Sequence, residues 1–341
     1  MEKVFVVGVI GAGRMGKIHV ENLKRKVPNV KLKTVVDIKI DDQLKQWAEK
    51  MGILNITPDT NDIFTDSEIE TVVIASSTDT HTKFIQEAAK AKKHIFCEKP
   101  IDNNLERINK TLDIVKHEGV KLMVGYNRRF DRNFMRVHEA VASGQIGIPQ
   151  IIKITSRDPT PPPIEYIERS GGMFLDMTIH DWDMARYQAG SDVKEIYASG
   201  AVLIDPKIGK AGDIDTAVAI LKFNNGALGI IDNTRQAVYG YDQRVEIFGS
   251  KGCVIADNEA SNTVRIYTAE CINIDKIPYF FMERYMESYA TELNFFFDCL
   301  RNNKEPSPSG EDGLQNVLVA MAAQKSYKDN RPVMISEVKN K

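Results

Sequence analysis

The sequence predicts an α/β fold: an N-terminal doubly wound parallel sheet, then an α/β domain built on a large, open-faced, mostly antiparallel sheet. Three observations lead there. Strand-like and helix-like runs alternate up to about residue 125. Beyond it, strand-like runs follow one another with few helices between them. A glycine-rich turn joins the first strand to the first helix.

The elements justify this reading in order. "KVFVVGVIG" is a continuous apolar run, as a strand buried on both faces should be. "RMGKIHVENLKR" has helical periodicity, "VKLKTVVD" reads as a second strand, and "DQLKQWAEKMG" as a helix stopped by Gly52. A short helix and a loop follow, then "TVVIASS" as a strong strand, "THTKFIQEAAKAKK" as a helix and "HIFCEKP" as a strand. "NLERINKTLDIVKHEG" and "KLMVGYN" complete the alternation. After the helix "FMRVHEAVASGQIG" come "PQIIKITSRD", "VKEIYASGAVL", "DTAVAILKFNNGALGIIDNTR", "QRVEIFGSKGCVIAD" and "TVRIYTA". Asn-Gly in "FNNGA" suits the mirror-image turn of a two-residue hairpin loop. Two helical stretches close the chain. The expected domains are residues 1–124 and 125–341.

Composition narrows the partners. A net charge of −2 with no run of five or more like charges leaves no basic footprint for nucleic acid. No apolar run approaches a membrane span, and the apolar N-terminus leads into a glycine turn as a strand, not a signal peptide. The four scattered cysteines form no C-x-x-C pair, so no metal site is expected, and reduced thiols in a cytoplasm are the default.

"VVGVIGAGRMG" places Gly11, Gly13 and Gly16 in G-x-G-x-x-G order between a strand and a helix. Such glycines allow a tight turn, close approach to a pyrophosphate and close helix–strand packing. The helix N-terminus, with Arg14 and Met15, offers N–H groups to the phosphates. Asp37 ends the second strand, 21 residues after Gly16, where a carboxylate would bond the ribose hydroxyls and repel a 2′-phosphate. NAD is therefore expected over NADP, although Lys39 weakens the preference. Ser76, Ser77 and Thr78 follow the third strong strand, at the carboxyl-end crevice. Capping of the next helix by Thr78 and Thr80 is an equally good reading. His81 on that helix, and Glu98 and Lys99 in "HIFCEKPI", are further candidate cofactor contacts. Lys99 at a strand end faces either the crevice or bulk water.

"SGGMFLDMTIHDWDMARYQ" reads as one mostly apolar helix opening after two glycines. Asp176, His180 and Asp183 would share a face of it. A proton-transfer pair, a core histidine satisfied by Asp176, and a metal site are the alternatives; the last lacks a second His or Cys.

Taken together, "GAGRMGKIHVENL", "CEKPI", "GYNRRFD" and "GGMFLDMTIHDWDMARY" resemble the Gfo/Idh/MocA oxidoreductases over essentially the whole chain. Within them, "ITSRDPTPPPIEYI" and "AVYGYDQRVEIFGSKG" are most similar to the inositol-oxidising branch. The resemblance implies a Rossmann domain, an open sheet that buries an interface in a dimer or tetramer, and reversible hydride transfer between NAD and a cyclitol or sugar. For that branch the reaction is myo-inositol to its 2-keto product. It implies Lys99, Asp176 and His180 as catalytic residues: His180 the general base, Lys99 stabilising the alkoxide, Asp176 orienting them. It implies Asn127, Arg128, Ser156, Asp158, Tyr239 and Tyr241 as substrate contacts. Related scaffolds act on scyllo-inositol, glucose or other aldoses, use NAD as a relay in glycoside cleavage, or sense the dinucleotide without chemistry.

Overall fold

The computed structural model describes residues 3 to 339, so the outermost ends of the expected domains, residues 1, 2, 340 and 341, lie outside the described residues. The chain divides into two compact units, Met1–Asn127 with Glu287–Leu314, and Arg128–Met286 with Gln315–Lys341. A single cut after residue 124 therefore falls just short of the first crossing and misses two later ones. The signal was masked because one long helical run, read as belonging to the C-terminal domain, passes from one unit to the other.

The first unit contains a six-stranded sheet of β1 (Phe5–Ile10), β2 (Val30–Val36), β3 (Asn55–Thr57), β4 (Thr71–Ile74), β5 (His94–Glu98) and β6 (Leu122–Gly125), in the order β3-β2-β1-β4-β5-β6. Every pairing is parallel. The helices between them are α1 (Arg14–Arg25), α2 (Asp42–Lys50), α3 (Asn61–Phe64), α4 (Thr78–Lys90) and α5 (Leu105–Glu118). Val7, Val9, Val72, Val73, Ile95 and Phe96 have no accessible surface, as strands covered on both faces require. Asp41 caps α2 and Asn104 caps α5, each accepting from a first-turn N–H. The strand order reverses beside β1, which makes the carboxyl ends of β1 and β4 the crevice position.

The second unit opens with a 3-10 turn and α6 (Arg132–Ala142), whose cap Asp131 accepts from Asn133 and Phe134. Its sheet has seven strands: β7 (Pro149–Arg157), β8 (Val193–Ala201), β9 (Thr216–Phe223), β10 (Leu228–Thr234), β11 (Asp242–Gly249), β12 (Gly252–Ala256) and, beyond the small hairpin β13 (Arg265–Tyr267) and β14 (Ile272–Ile274), β15 (Val333–Met334). The order is β12-β11-β7-β10-β9-β8-β15, and only β7 and β10 run parallel. The helices are α7 (Ile164–Ser170), α8 (Ile179–Ala189), α9 (Pro206–Lys210), α10 (Phe281–Arg301), α11 (Gly310–Asp329) and α12 (Ser336–Lys339); α10 and α11 each straddle the two units. Along β9, Ala217, Ala219, Leu221 and Phe223 are buried while Val218 and Ile220 are about half exposed. Ile230 pairs with Ile220 and Ile151 lies two strands over, so the outer face of this sheet is apolar as well.

Two local expectations fail for identifiable reasons. The β9–β10 loop is not a two-residue mirror-image turn: Phe223 N–H donates to Ala227 at 2.9 Å, and Gly226 alone of the loop has positive φ, at 90°. A three-residue loop with glycine in the left-handed position results, as the strand register dictates. Nor is 170–188 one helix. Met173–Met177 forms a π-helical turn, closed by Thr178 N–H donating to the Met173 carbonyl at 2.9 Å, and α8 starts afterwards. Gly171 and Gly172 have φ of 91° and 82°, and Asp213 accepts from the Met173 N–H at 2.9 Å, which pins the turn from outside its own sequence.

Candidate active site

In the first unit the β1–α1 turn is shaped by backbone contact. Gly11 has φ 96°, and a Cβ on it would lie 2.6 Å from the Ala75 carbonyl oxygen. A Cβ on Gly16 would collide with the Gly11 carbonyl. Gly13, the N-cap of α1, has nothing within 4 Å of where its Cβ would stand. The first two glycines thus answer protein packing, whereas Gly13 keeps space open above a helix N-terminus, the fit a pyrophosphate needs. Arg14 is exposed and Met15 half-buried at that end.

Asp37 stands just beyond β2 and is half-buried. Its Oδ2 accepts from the Ala12 N–H at 2.7 Å and its Oδ1 from the Lys39 N–H at 2.8 Å. Each carboxylate oxygen has a second lone pair, so the side chain is oriented yet still able to accept from ribose hydroxyls. Ser76 and Thr80 share a 2.7 Å hydroxyl contact, and the Thr80 hydroxyl donates to the Ser77 carbonyl. Ser77, not Thr78 or Thr80, is the N-cap of α4, and it makes no side-chain cap bond. The capping reading fails because the helix starts one residue earlier than the threonine pattern suggests. Ser77 is exposed and Thr78 half-buried at this helix end. His81 is buried; its Nδ1 lies 2.7 Å from the Pro100 carbonyl and its Nε2 3.0 Å from the Ser76 carbonyl. Burial holds this imidazole below its ordinary pKa. With one N–H in its neutral form, it donates to one of these two carbonyls, in the loops that follow β4 and β5. Glu98 ends β5 with its Oε1 2.7 Å from His19 Nε2, and Lys99 follows, half-buried. Asn127 is buried, its amide donating to the Ser288 hydroxyl at 3.2 Å.

In the second unit Asp176 sits in the π-helical turn and His180 in the first turn of α8, both half-buried. The Tyr166 hydroxyl donates to Asp176 at 2.8 Å, and Arg235 lies 3.9 Å from its other oxygen. Asp183 is not with them: it takes two bonds from Arg129, at 2.8 and 2.7 Å, and one from Asn316. Arg128 donates to Asp181 at 2.6 Å, to Ser156 at 3.3 Å and to the Tyr241 hydroxyl at 3.2 Å. Burial alone would lower the guanidinium's pKa, but Tyr241 and Asp181 hold it protonated. Ser156 has no accessible surface, and Gln243 also donates to its hydroxyl. Tyr241 is buried beside Tyr285, whereas Tyr239 is 44% exposed and donates to Asp242 at 2.5 Å. Asp158 stays partly accessible among Arg235, Arg128, Asp176 and Asp181.

Sequence reasoning missed Tyr166, Arg235, Asp213 and the Arg128–Asp181 pair. Arg235 was findable: an arginine directly after the apolar strand "LGIIDNT" resembles the position of Lys99.

Residues 5–126 match the oxidoreductase family with an NAD-binding Rossmann fold, and residues 134–255 match the GFO/IDH/MocA C-terminal domain. The chain belongs to the Gfo/Idh/MocA oxidoreductase family. This family member is 48% identical to the myo-inositol 2-dehydrogenase of Thermotoga maritima, over 97% of this chain and 99% of that protein. It is 43% identical to the inositol 2-dehydrogenase of Rhizobium meliloti, over 96% and 98% of the two chains. A crystal structure of scyllo-inositol dehydrogenase from Lactobacillus casei, with bound NAD(H) and scyllo-inositol, superposes with a TM-score of 0.91 at 30% identity, covering 98% of this chain and all of that one, 100%.

As a Gfo/Idh/MocA oxidoreductase the chain is an NAD-dependent dehydrogenase with a Rossmann cofactor domain. If Asp37 binds the ribose, replacing it by Ser removes both that acceptor and the repulsion of a 2′-phosphate. The NAD-to-NADP preference in kcat/KM should fall about tenfold or more, which is one lost charge-assisted hydrogen bond; an unchanged ratio in steady-state assays counts against the assignment.

Asp158 gives a pH effect. Burial, opposed by Arg235 and Arg128 and reinforced by Asp176 and Asp181, pushes its carboxyl up to about 6. The folded chain then binds this proton more tightly than the unfolded one, so stability falls as pH rises between about 4 and 6. Thermal melts across that window should show a shallower loss for Asp158→Asn than for the native chain.

Proposed function

We propose that this enzyme oxidises a ring hydroxyl of a cyclitol, myo-inositol being the first candidate, with NAD as acceptor. The carrying observation is the joint presence of the dinucleotide cradle and of Lys99, Asp176 and His180 in a chain close to half identical to proteins named inositol 2-dehydrogenases. When bound, NAD would supply the redox chemistry, as acceptor of the hydride from the carbinol carbon. The chain's own residues handle the proton and the charge. His180, as a neutral imidazole, takes the proton from the hydroxyl as its C–H bond breaks. The Lys99 ammonium stabilises the negative charge that gathers on the same oxygen. Asp176, itself oriented by Tyr166, orients these two groups. In reverse, His180 returns its proton to the carbonyl oxygen. Asn127, Arg128, Asp158, Tyr239 and Tyr241 are proposed to set the polyol pocket, with Arg128 directed by Asp181 and Ser156.

A scyllo-inositol substrate is the second reading, favoured by the Lactobacillus casei structure that holds that isomer. NADH formation on a panel of myo-inositol, scyllo-inositol and aldoses decides between them; no NADH from any cyclitol sinks both. Lys99→Ala and His180→Ala should each lower kcat by about a thousandfold while NAD still binds, in the range typical of lost acid–base and charge-stabilising groups.

The protein is also proposed to be a cytoplasmic homo-oligomer, a dimer or tetramer. Among the described residues no helix is long and apolar enough to cross a membrane. Val218, Ile220, Leu228, Ile230, Phe248 and Ile255 make an exposed apolar patch on one sheet, which monomers rarely leave open. Light scattering should show a multimer that Ile230→Asp weakens; a monomeric native chain would refute it.

A further inference from the structure

The first unit holds a buried polar cluster that the proposed chemistry does not use. His19 on α1, Glu98 at the end of β5 and Glu292 on α10 each offer one N or O atom, and these atoms lie within 4.8 Å of one another. His19 and Glu292 have no accessible surface, and Glu98 is 9% exposed. His19 Nε2 meets Glu98 Oε1 at 2.7 Å, and the Lys99 main-chain N–H donates to Glu98 Oε2 at 3.3 Å. Gly125 of β6 closes over that carboxylate, since a Cβ there would stand 3.3 Å from Oε2. Aromatic rings wall the cluster: Phe96 is 5.2 Å and Tyr289 6.2 Å from the His19 ring, and Phe296 is 6.0 Å from Phe96. Among the described residues, neither oxygen of Glu292 has a hydrogen-bond partner.

A second carboxylate buried beside the first, with neither oxygen hydrogen-bonded, is too costly to leave ionised. The economical state is one proton on Glu292, given as a hydrogen bond to Glu98. Burial, and then the charge of Glu98, push the Glu292 carboxyl well above the ordinary range.

We propose that Glu292 is a positioning residue: a carboxylic acid at neutral pH whose O–H clamps Glu98 and so fixes the strand end that carries Lys99. The inference rests on the reading of Lys99 as the ammonium that stabilises the substrate oxygen. Lys99 has a flexible four-carbon stem, so the placement of its Cα decides where the charge can act.

The test is infrared spectroscopy of the full-length protein carrying 13C-labelled glutamate, with kinetics on the variants. At about pH 7, far above the ordinary Glu pKa of ~4.3, a protonated-carboxyl band should be present and should vanish in Glu292→Gln. Glu292→Gln keeps a donor to Glu98 and should hold kcat within about threefold, whereas Glu292→Leu should lower kcat about tenfold or more with the Kd for NAD unchanged, as a small misplacement of a reacting group does. Thermal melts confirm that both variants fold. No band at about pH 7, or a band with undiminished kcat in Glu292→Leu, overturns the proposal. So does one equivalent of a divalent cation found by metal analysis of the native chain and lost in Glu292→Gln, since the same three side chains would then be ligands. If Lys99→Ala remained active, the functional reading would fall by itself, and the band would still report whether the shared proton exists.

Discussion

The contact on which the first unit depends is the approach of α1 to the end of β1. The Gly16 backbone lies so close to the Gly11 carbonyl that no side chain fits, and a Cβ on Gly11 would stand only 2.6 Å from the Ala75 carbonyl oxygen, just past β4. Those glycines are thus required by packing before any ligand arrives. From that fixed turn a series of side-chain bonds ties the carboxyl ends of the strands together. Asp37 beyond β2 holds the Ala12 amide, His19 on α1 holds Glu98 at the end of β5, and His81 on α4 lies between the carbonyls of Ser76 and Pro100 and donates to one of them. A cofactor site whose rim is tied in this way does not have to be ordered by its ligand, so less binding free energy is lost to ordering.

The second unit fixes α8 by different means. Asp181 and Asp183 lie two apart on α8 and therefore on nearly opposite sides of it. Consecutive arginines, Arg128 and Arg129, meet them one each. The two pairs set the rotation of α8 about its axis, and that rotation leaves His180 as a half-buried side chain in its first turn. The π-helical turn adds a residue before α8, so Asp176 does not sit where an ideal α-helical spacing would place it relative to His180.

Much of this was legible in the residues. β1, α1, β2 and β4 announce themselves because each carries its own signal: an apolar run covered on both faces, a helical stripe, or glycines in a fixed order. The two-domain α/β architecture and the mixed second sheet follow from the change of rhythm near residue 125. What stayed hidden depends on partners distant in sequence. β3, β14 and β15 are three, three and two residues long and exist by pairing with a neighbour, not by pattern. The π turn is held by Asp213, and the Asn-Gly loop takes the length that the β9–β10 register leaves for it. Among the site residues, Asp37, Glu98, Asp176 and His180 could be picked out by motif, but the inaccessibility of Ser156 and the capture of Asp183 by Arg129 belong to the folded core.

A common rule links the polar groups of the two units. In the first, they gather beyond the carboxyl ends of parallel strands, beside the reversal of strand order. The second sheet is otherwise antiparallel, yet its single parallel pair, β7 and β10, does the same thing. The inward residues of that pair run from apolar to polar along both strands: Ile152 and Ile154 lead to Ser156, and Gly229 and Ile231 lead to Asn233. Ser156 and Asn233 are register partners, and Asn233 donates to Asp181 while Ser156 accepts from Arg128. Asp158 and Arg235 follow just past the two strand ends, and Tyr241 lies in the connection to β11. An antiparallel pair would have sent one of these ends to the opposite edge of the sheet. Parallel pairing is therefore what lets two strands far apart in sequence deliver their polar ends to one place, and it explains why an arginine after β10 and an aspartate after β7 act on the same surroundings.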